Sequence, residues 1–212
     1  MAEPWLVVSD VDSTLIRDEV IELIADAVGP DARDHVENVT ERAMRGELDF
    51  ADSLRERLLM LQGVPESVLA DVVERVRVTD GVREFVDAVQ GAGGAVAAVS
   101  GGFHEILDPL AARLGIRITR ANRLEVENGA LTGRSFGPVI DAAAKRDTLL
   151  SLGANLGIPP ERTMAVGDGA NDLLMVEAAG VGVAFCAKPV LREAADVVID
   201  RPDFRELLPL FA

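Results

Sequence analysis

Short uninterrupted apolar runs alternate along this chain with segments whose apolar residues recur every three or four positions. The runs at residues 5–9, 95–100, 163–167, 181–184 and 197–200 read as strands, because a strand covered on both faces loses the in-and-out alternation. Helical spacing fills the gaps between the later runs, at 103–114, 141–156, 170–179 and 189–195. Strands alternating with helices predict an α/β chain built as a doubly wound, Rossmann-like parallel sheet. Asn128-Gly129 between 123–127 and 130–134 predicts one β-hairpin interrupting it. Ala92-Gly93-Gly94 is a helix stop, since it precedes a strand, whereas a phosphate loop follows one.

Residues 14–78 break the alternation. They predict helices in succession at 19–28, 31–45, 50–61 and 65–76, with Asp49 as an N-cap and Pro65 as a first helical residue. A helical insertion directly after the first strand predicts a small cap domain, 14–78, folded over that strand's carboxyl end. Residues 1–13 and 79–212 then make the core.

Composition narrows the class. A hydrophobic content of 49% with 4% aromatics suits an Ala/Val/Leu-rich α/β protein, and 212 residues suffice to bury a core. The formal net charge of −15 argues against nucleic acid and anionic membrane as partners, because both require clustered cations. One cysteine, Cys186, excludes an internal disulfide and reads as a small core residue in the run 181–187. Two histidines leave little material for zinc. No basic region opens the chain and no apolar run is long enough for a membrane span, so a cytoplasmic location is expected.

Four segments carry the candidate chemistry. Asp10 and Asp12 follow the first strand one residue apart, at the sheet edge where open α/β folds place ligands. Two carboxylates so close call for a cation, a shared proton, or both. Ser100-Gly101-Gly102 follows the second run, and its hydroxyl and bare backbone can close on an anion. Lys145 falls in the first turns of a helix, the end a cation disfavours, which points to a specific partner. Gly167-Asp168-Gly169-Ala170-Asn171-Asp172 adds two more carboxylates after the third run. Asp10, Asp12, Asp168 and Asp172 bring four negative charges; a divalent cation and Lys145 would offset three. Oxygen-only ligands favour Mg²⁺ over zinc, and such a site could hold a phosphate dianion.

In this order, D-V-D-S-T, S-G-G, a lysine and G-D-G-x-N-D resemble the four motifs of the haloacid dehalogenase superfamily. Within it the chain is similar to the phosphoserine phosphatases. Glu19, the run 43–50 with 53–57, Ser100-Gly101-Gly102-Phe103, Ala144-Lys145, 167–173 and Val183-Ala184-Phe185 with Ala187-Lys188-Pro189 continue the likeness over nearly the whole chain. His104 departs from a usual threonine and reads as a solvated helix residue; His35 reads as a surface residue of the cap. No regulatory domain precedes Asp10, so the minimal form of the enzyme is expected.

The resemblance implies that Asp10 is a nucleophile forming an aspartyl phosphate and that Asp12 is the general acid, later base. It implies Mg²⁺ held by Asp10, the backbone carbonyl of Asp12, and Asp168. Ser100, Gly101, Lys145 and Asn171 would bind phosphate, and Asp172 would orient Lys145 or a water on the metal. In the cap, Glu19 would meet an ammonium and Arg57 a carboxylate, with Met44 and Phe50 as apolar walls. The implied substrate is the small molecule O-phospho-L-serine, hydrolysed to L-serine and phosphate as the last step of serine biosynthesis. Phosphothreonine, phosphohomoserine or another small ester, and transfer to an alcohol instead of water, stay open, as does a homodimer.

Overall fold

Val7 faces one side of a sheet while its neighbours Leu6 and Val8 face the other, and all three are fully buried, so helices cover both faces. The computed structural model describes residues 3–44 and 47–211, with the Met44 side chain left outside; Arg45 and Gly46 of the cap motif also lie outside the described residues. The strands are β1 (Leu6–Ser9), β2 (Ala95–Phe103), β3 (Ile118–Glu127), β4 (Ala130–Phe136), β5 (Thr163–Gly167), β6 (Val181–Phe185) and β7 (Val197–Ile199). They form one seven-stranded sheet in the order β4-β3-β2-β1-β5-β6-β7, parallel except for β4. The predicted mostly parallel, doubly wound class is what the chain adopts.

Helices α1 (Val20–Ala25), α2 (Pro30–Met44), α3 (Phe50–Leu59) and α4 (Val68–Arg75) follow β1, and α5 (Val82–Gly91) leads into β2. Next come α6 (His104–Leu114), α7 (Ala142–Leu156), α8 (Leu173–Ala178) and α9 (Pro189–Arg192). Leu149, Met175, Val176 and Leu191 from α7–α9 cover the Leu6/Val8 face. The Val7 face receives α5 and α6, and its apolar cluster runs on without a break into Val36, Leu54, Leu58 and Val72 of the inserted helices. Asp49 caps α3 as expected, accepting from the N–H groups of Ala51 at 2.9 Å and Asp52 at 3.3 Å.

Three local expectations change. Pro65 does not start a helix; α4 begins at Val68, and Pro65 lies in an extended segment bridged to Ala130. Gly63 N donates to Leu131 O, Leu131 N to Val64 O and Glu66 N to Gly129 O, at 2.8, 2.8 and 2.9 Å. Pairing with the open edge of β4 outweighs a local helix-start signal. The hairpin extends the sheet: β3 starts at Ile118 and pairs parallel with β2 before turning antiparallel to β4. Its early half was hidden because Arg117, Arg120, Asn122 and Arg123 interrupt any apolar run. The turn itself is as read, with Asn128 at φ 53 and Gly129 at φ 77. The segment 170–179 divides into a tight 3₁₀ turn, Ala170–Asp172, and α8.

Two side chains are corrected. Cys186 is exposed, beyond the end of β6 at φ 48, because its N–H must reach Ile199 O at 2.7 Å. His104 is not solvated: its side chain is 14% exposed, its Nε2 accepts from Ala121 N at 3.0 Å and its Nδ1 pairs with Asp108 at 2.9 Å. It ties α6 to β3. His35 does lie at the surface, beside Glu56.

The C-terminal 3₁₀ segment Phe204–Phe211 docks through Phe204, which packs edge-on to Phe85 at 5.6 Å and tilted against Phe185 at 4.8 Å. Asp203 anchors its start, accepting from Arg205 N, Nε and Nη2 at 3.0, 2.8 and 2.7 Å. Those Arg205 hydrogen bonds lower its carboxyl from 3.8 to about 2. The unfolded chain therefore binds more protons at this group between those values. Its contribution is complete above the unfolded value and fades as pH falls toward the folded one. Thermal melts of the parent protein and Asp203→Asn should differ at neutral pH and converge as pH approaches 2; a constant difference would dissociate the anchor from this titration.

Candidate active site

Parallel pairing of β1 with β2 and β5 brings three strand ends to one edge, and the chain leaves each strand carrying polar groups. Asp10 continues β1 by donating its N–H to Val166 O at 2.8 Å, so its position is set by the sheet. Its carboxylate is buried and receives the Lys145 ammonium. Lys145 enters from the first turns of α7, whose N-cap Asp141 accepts from Ala144 N at 2.8 Å. Fully buried, Lys145 donates also to Asp172 Oδ1 at 2.7 Å. Asp172 Oδ2 turns back to accept from the N–H groups of Asp168 and Gly169 at 3.1 and 3.2 Å. That turn is why Gly167 is glycine, since a Cβ there would lie 2.4 Å from Asp172 Cγ.

Asp12 sits two residues on, in a loop (Val11–Leu15) closed by Ile16 N donating to Val11 O at 3.0 Å. Ser13 is held in the left-handed region at φ 56, a strained conformation for a residue with a Cβ. Its hydroxyl donates to Glu19 Oε1 at 2.7 Å. Asp12 Oδ1 accepts from Val20 N at 2.8 Å, and Oδ2 accepts from Ser100 Oγ at 2.9 Å. Ser100 Oγ in turn accepts from Gly102 N at 2.7 Å. A Cβ on Gly102 would come within 3.0 Å of Asp12 Oδ2, and one on Gly101 within 2.8 Å of Phe50 Cζ. A side chain at either glycine would force Phe50, or Ser100 and Asp12, to move.

A cavity of about 250 Å³ joins these groups. Asp10, Asp12, Gly101, Gly102, Asp168 and Asn171 line it from the sheet edge; Glu19, Thr40, Phe50 and Arg57 line it from the inserted segment. Lys145 and Ser100 are tied to the sheet-edge wall through Asp10 and Asp12. The predicted residues thus converge, apart from Met44, whose side chain is outside the described residues. Leu54 and Phe103, from the runs that carry the likeness, also line the cavity, as do Thr40 and Ile21, which were not singled out. No sequence signal marks those two, since each is equally at home in a helix core or strand end. Thr40 Oγ1 accepts from Arg57 Nη1 at 3.2 Å and donates to Val36 O at 2.9 Å, while Arg57 Nε donates to Ser53 O at 3.2 Å. These bonds aim a buried guanidinium into the cavity.

The electrostatics show a shortage of positive charge. Burial, then Asp172, hold Asp10 well above the ordinary carboxylate range and push Asp168 up to about 7. Burial raises Asp12 despite its hydrogen bonds from Val20 and Ser100. Burial and then Asp12 raise Glu19 to about 8. Burial opposes charge on Lys145, but Asp10 and Asp172 outweigh it and raise its pKa. Arg57 is lowered by burial, which Glu19 offsets only in part. Carboxylate oxygens of Asp10, Asp168 and Asp172 lie within 4.8 Å of one another and could hold a metal ion. Both oxygens of Asp172 already have donors, so Asp10 and Asp168 are the better placed of the three. An all-oxygen donor set carrying uncompensated negative charge fits a hard divalent cation.

No helix among the described residues is long and apolar enough to cross a membrane. The phosphoserine phosphatase of Streptococcus thermophilus is 44% identical over 205 residues, 97% of this chain and 94% of that protein. Phosphoserine phosphatase SerB2 of Mycobacterium tuberculosis is 46% identical over 93% of this chain, which spans about half (48%) of that relative's length. A solved structure described as a phospho-aspartyl intermediate analogue of phosphoserine phosphatase matches with a TM-score of 0.93 at 39% identity, over 98% of this chain and 99% of that one. The family model for haloacid dehalogenase-like hydrolases matches residues 7–177, a span containing every convergent group described above, and the chain belongs to that family.

Proposed function

We propose that this chain is a Mg²⁺-dependent phosphoserine phosphatase, hydrolysing O-phospho-L-serine to L-serine and phosphate as the last step of serine biosynthesis in the cytoplasm. One observation carries the reading: a single cavity is lined by Asp10, Gly101 and Gly102, with Lys145 bound to Asp10 behind that wall, and also by Glu19 and Arg57. Those charges complement a phosphate at one end of a small molecule and an ammonium and a carboxylate at the other. The S. thermophilus relative's activity and the phospho-aspartyl analogue support it. In this reading 14–78 is a cap domain on a core of 1–13 and 79–212, and the cap supplies the substrate's amino-acid contacts.

Mg²⁺, held by Asp10, the Asp12 carbonyl and Asp168, would supply charge neutralisation for the phosphate. Asp10 attacks phosphorus, and the bond from phosphorus to the serine oxygen breaks as Asp12 protonates that oxygen. The Asp12 carboxyl, raised by burial, suits a group that must both give and take a proton. Water then attacks the aspartyl phosphate, Asp12 takes its proton, and the bond between Asp10 and phosphorus breaks. Lys145 stabilises the negative charge gathered on Asp10 and the phosphate, with Asp172 holding it in place. Ser100, Gly101 and Asn171 hold the phosphate oxygens. Phe50, against Gly101, closes the cavity to water.

Phosphate release from O-phospho-L-serine should require Mg²⁺, stop with excess EDTA, and exceed release from phosphothreonine. Asp10→Asn should abolish it while leaving the fold intact by circular dichroism. Release by that variant above a mock-purified control would remove Asp10 as the nucleophile.

Glu19→Gln should reduce phosphoserine turnover by roughly 10–100-fold, the loss of a charge-assisted contact of about 1.5–3 kcal/mol. It should spare p-nitrophenyl phosphate, which has no ammonium. Thr40→Val should raise KM for phosphoserine about fivefold by releasing Arg57, with kcat and p-nitrophenyl phosphate little changed. Equal effects on both substrates would place these residues outside amino-acid recognition.

A further inference from the structure

Between Val99 and Phe103 the register of β2 on β3 shifts, and Ser100-Gly101-Gly102 of β2 form the irregular stretch. Backbone that has left a ladder needs other partners. Asn122, on β3 opposite Phe103 where pairing resumes, supplies one: its Nδ2 donates to Gly101 O at 2.7 Å. Its Oδ1 accepts from Ile140 N at 2.9 Å, and Ile140 immediately precedes Asp141, the N-cap of α7. Asn122 is 2% exposed and lies off the cavity wall. We propose that Asn122 is a positioning residue of the phosphate-holding site, locking the glycine loop and the start of the Lys145 helix to each other through one buried amide.

The geometry makes this more than a structural filler. The Gly101–Gly102 peptide is held at both poles, its oxygen by Asn122 and its N–H by Ser100 Oγ at 2.7 Å. That fixes the plane of the peptide and with it the Ser100 hydroxyl, which donates to Asp12 Oδ2. The amide does both jobs at once, presenting a donor to a carbonyl and an acceptor to an N–H. Asn122→Asp keeps an acceptor for Ile140 N but turns an anion toward Gly101 O, so it breaks one tie selectively; Asn122→Ala removes both. Site geometry errors of this kind cost rate on the shared phosphate chemistry, whatever alcohol is attached.

The proposal rests on the phosphate-ester reading of the site but not on the identity of the alcohol. Both variants should lower kcat/KM for phosphoserine and for p-nitrophenyl phosphate by the same factor, about 10–100-fold, leaving their ratio unchanged. The inhibition constant of inorganic phosphate, measured with Mg²⁺, should weaken in parallel. Variants that unfold cooperatively at lower temperature yet keep kcat/KM and phosphate inhibition within about twofold of the parent when folded would overturn it. Should neither variant fold, the unsubstituted protein decides: exchange of the Asn122 side-chain amide protons, followed by NMR, should slow on saturation with phosphate, and unchanged exchange would count against the proposal. An unsubstituted protein that releases phosphate from neither ester would overturn the phosphate-ester reading, whereas an active parent with unimpaired Asn122 variants would overturn this proposal alone.

Discussion

The contact on which this molecule depends is the burial of one lysine between two aspartates. Lys145 has no exposed surface and meets Asp10, at the end of β1, and Asp172, in the 3₁₀ turn after β5. Taking an ammonium out of water costs several kcal/mol, and the carboxylates repay it only because their remaining oxygens are also engaged or face a charged cavity. Asp172 shows the requirement plainly: one oxygen faces Lys145 and the other takes two backbone N–H groups. Losing Lys145 would leave two buried carboxylates without their cation, a penalty of about 3–5 kcal/mol. The same contact ties α7 to two strand ends, so it is a fold constraint as well as the electrostatic centre of the cavity.

Around that centre the limiting quantity is space. Glycines 101, 102 and 167 stand where backbone meets Phe50, the Ser100 and Asp12 oxygens, and Asp172, at distances no Cβ tolerates. Their backbone angles are not the reason. Gly133 differs, combining φ +79 with a close approach of α3 to β4. Together with the Gly63–Glu66 segment paired to β4, that approach fastens the inserted helices to the sheet edge as well as to its Val7 face.

The cavity's charge differs between the sheet edge and the inserted segment. The sheet edge gathers carboxylates that burial holds above their ordinary range, with Lys145 as the ammonium between them. The inserted segment pairs one carboxyl, Glu19, with one guanidinium, Arg57, both largely desolvated. A desolvated guanidinium with its Nε and one Nη bound to the protein keeps its remaining donors aimed in one direction.

What the sequence determined by itself follows from local physics. Strands covered on both faces must be continuous apolar runs, so β1, β2, β5, β6 and β7 were legible, and strand ends in a parallel sheet share an edge, so the four polar segments could be placed together. Asp49 before Phe50 and Asn128-Gly129 were readable because caps and tight turns are chosen within a few residues. Tertiary structure decided the rest. Pro65 lost its helix to the edge of β4, the first half of β3 formed without an apolar signal, His104 was drawn onto a backbone N–H of β3, and Cys186 was turned outward to complete β6–β7 pairing. Thr40 and Asn122 carry no motif at all; their significance lies in partners that are 17 and 21 residues away, Arg57 and Gly101. A hydrogen bond between distant segments is a property of their packing, and no pattern within either segment encodes it.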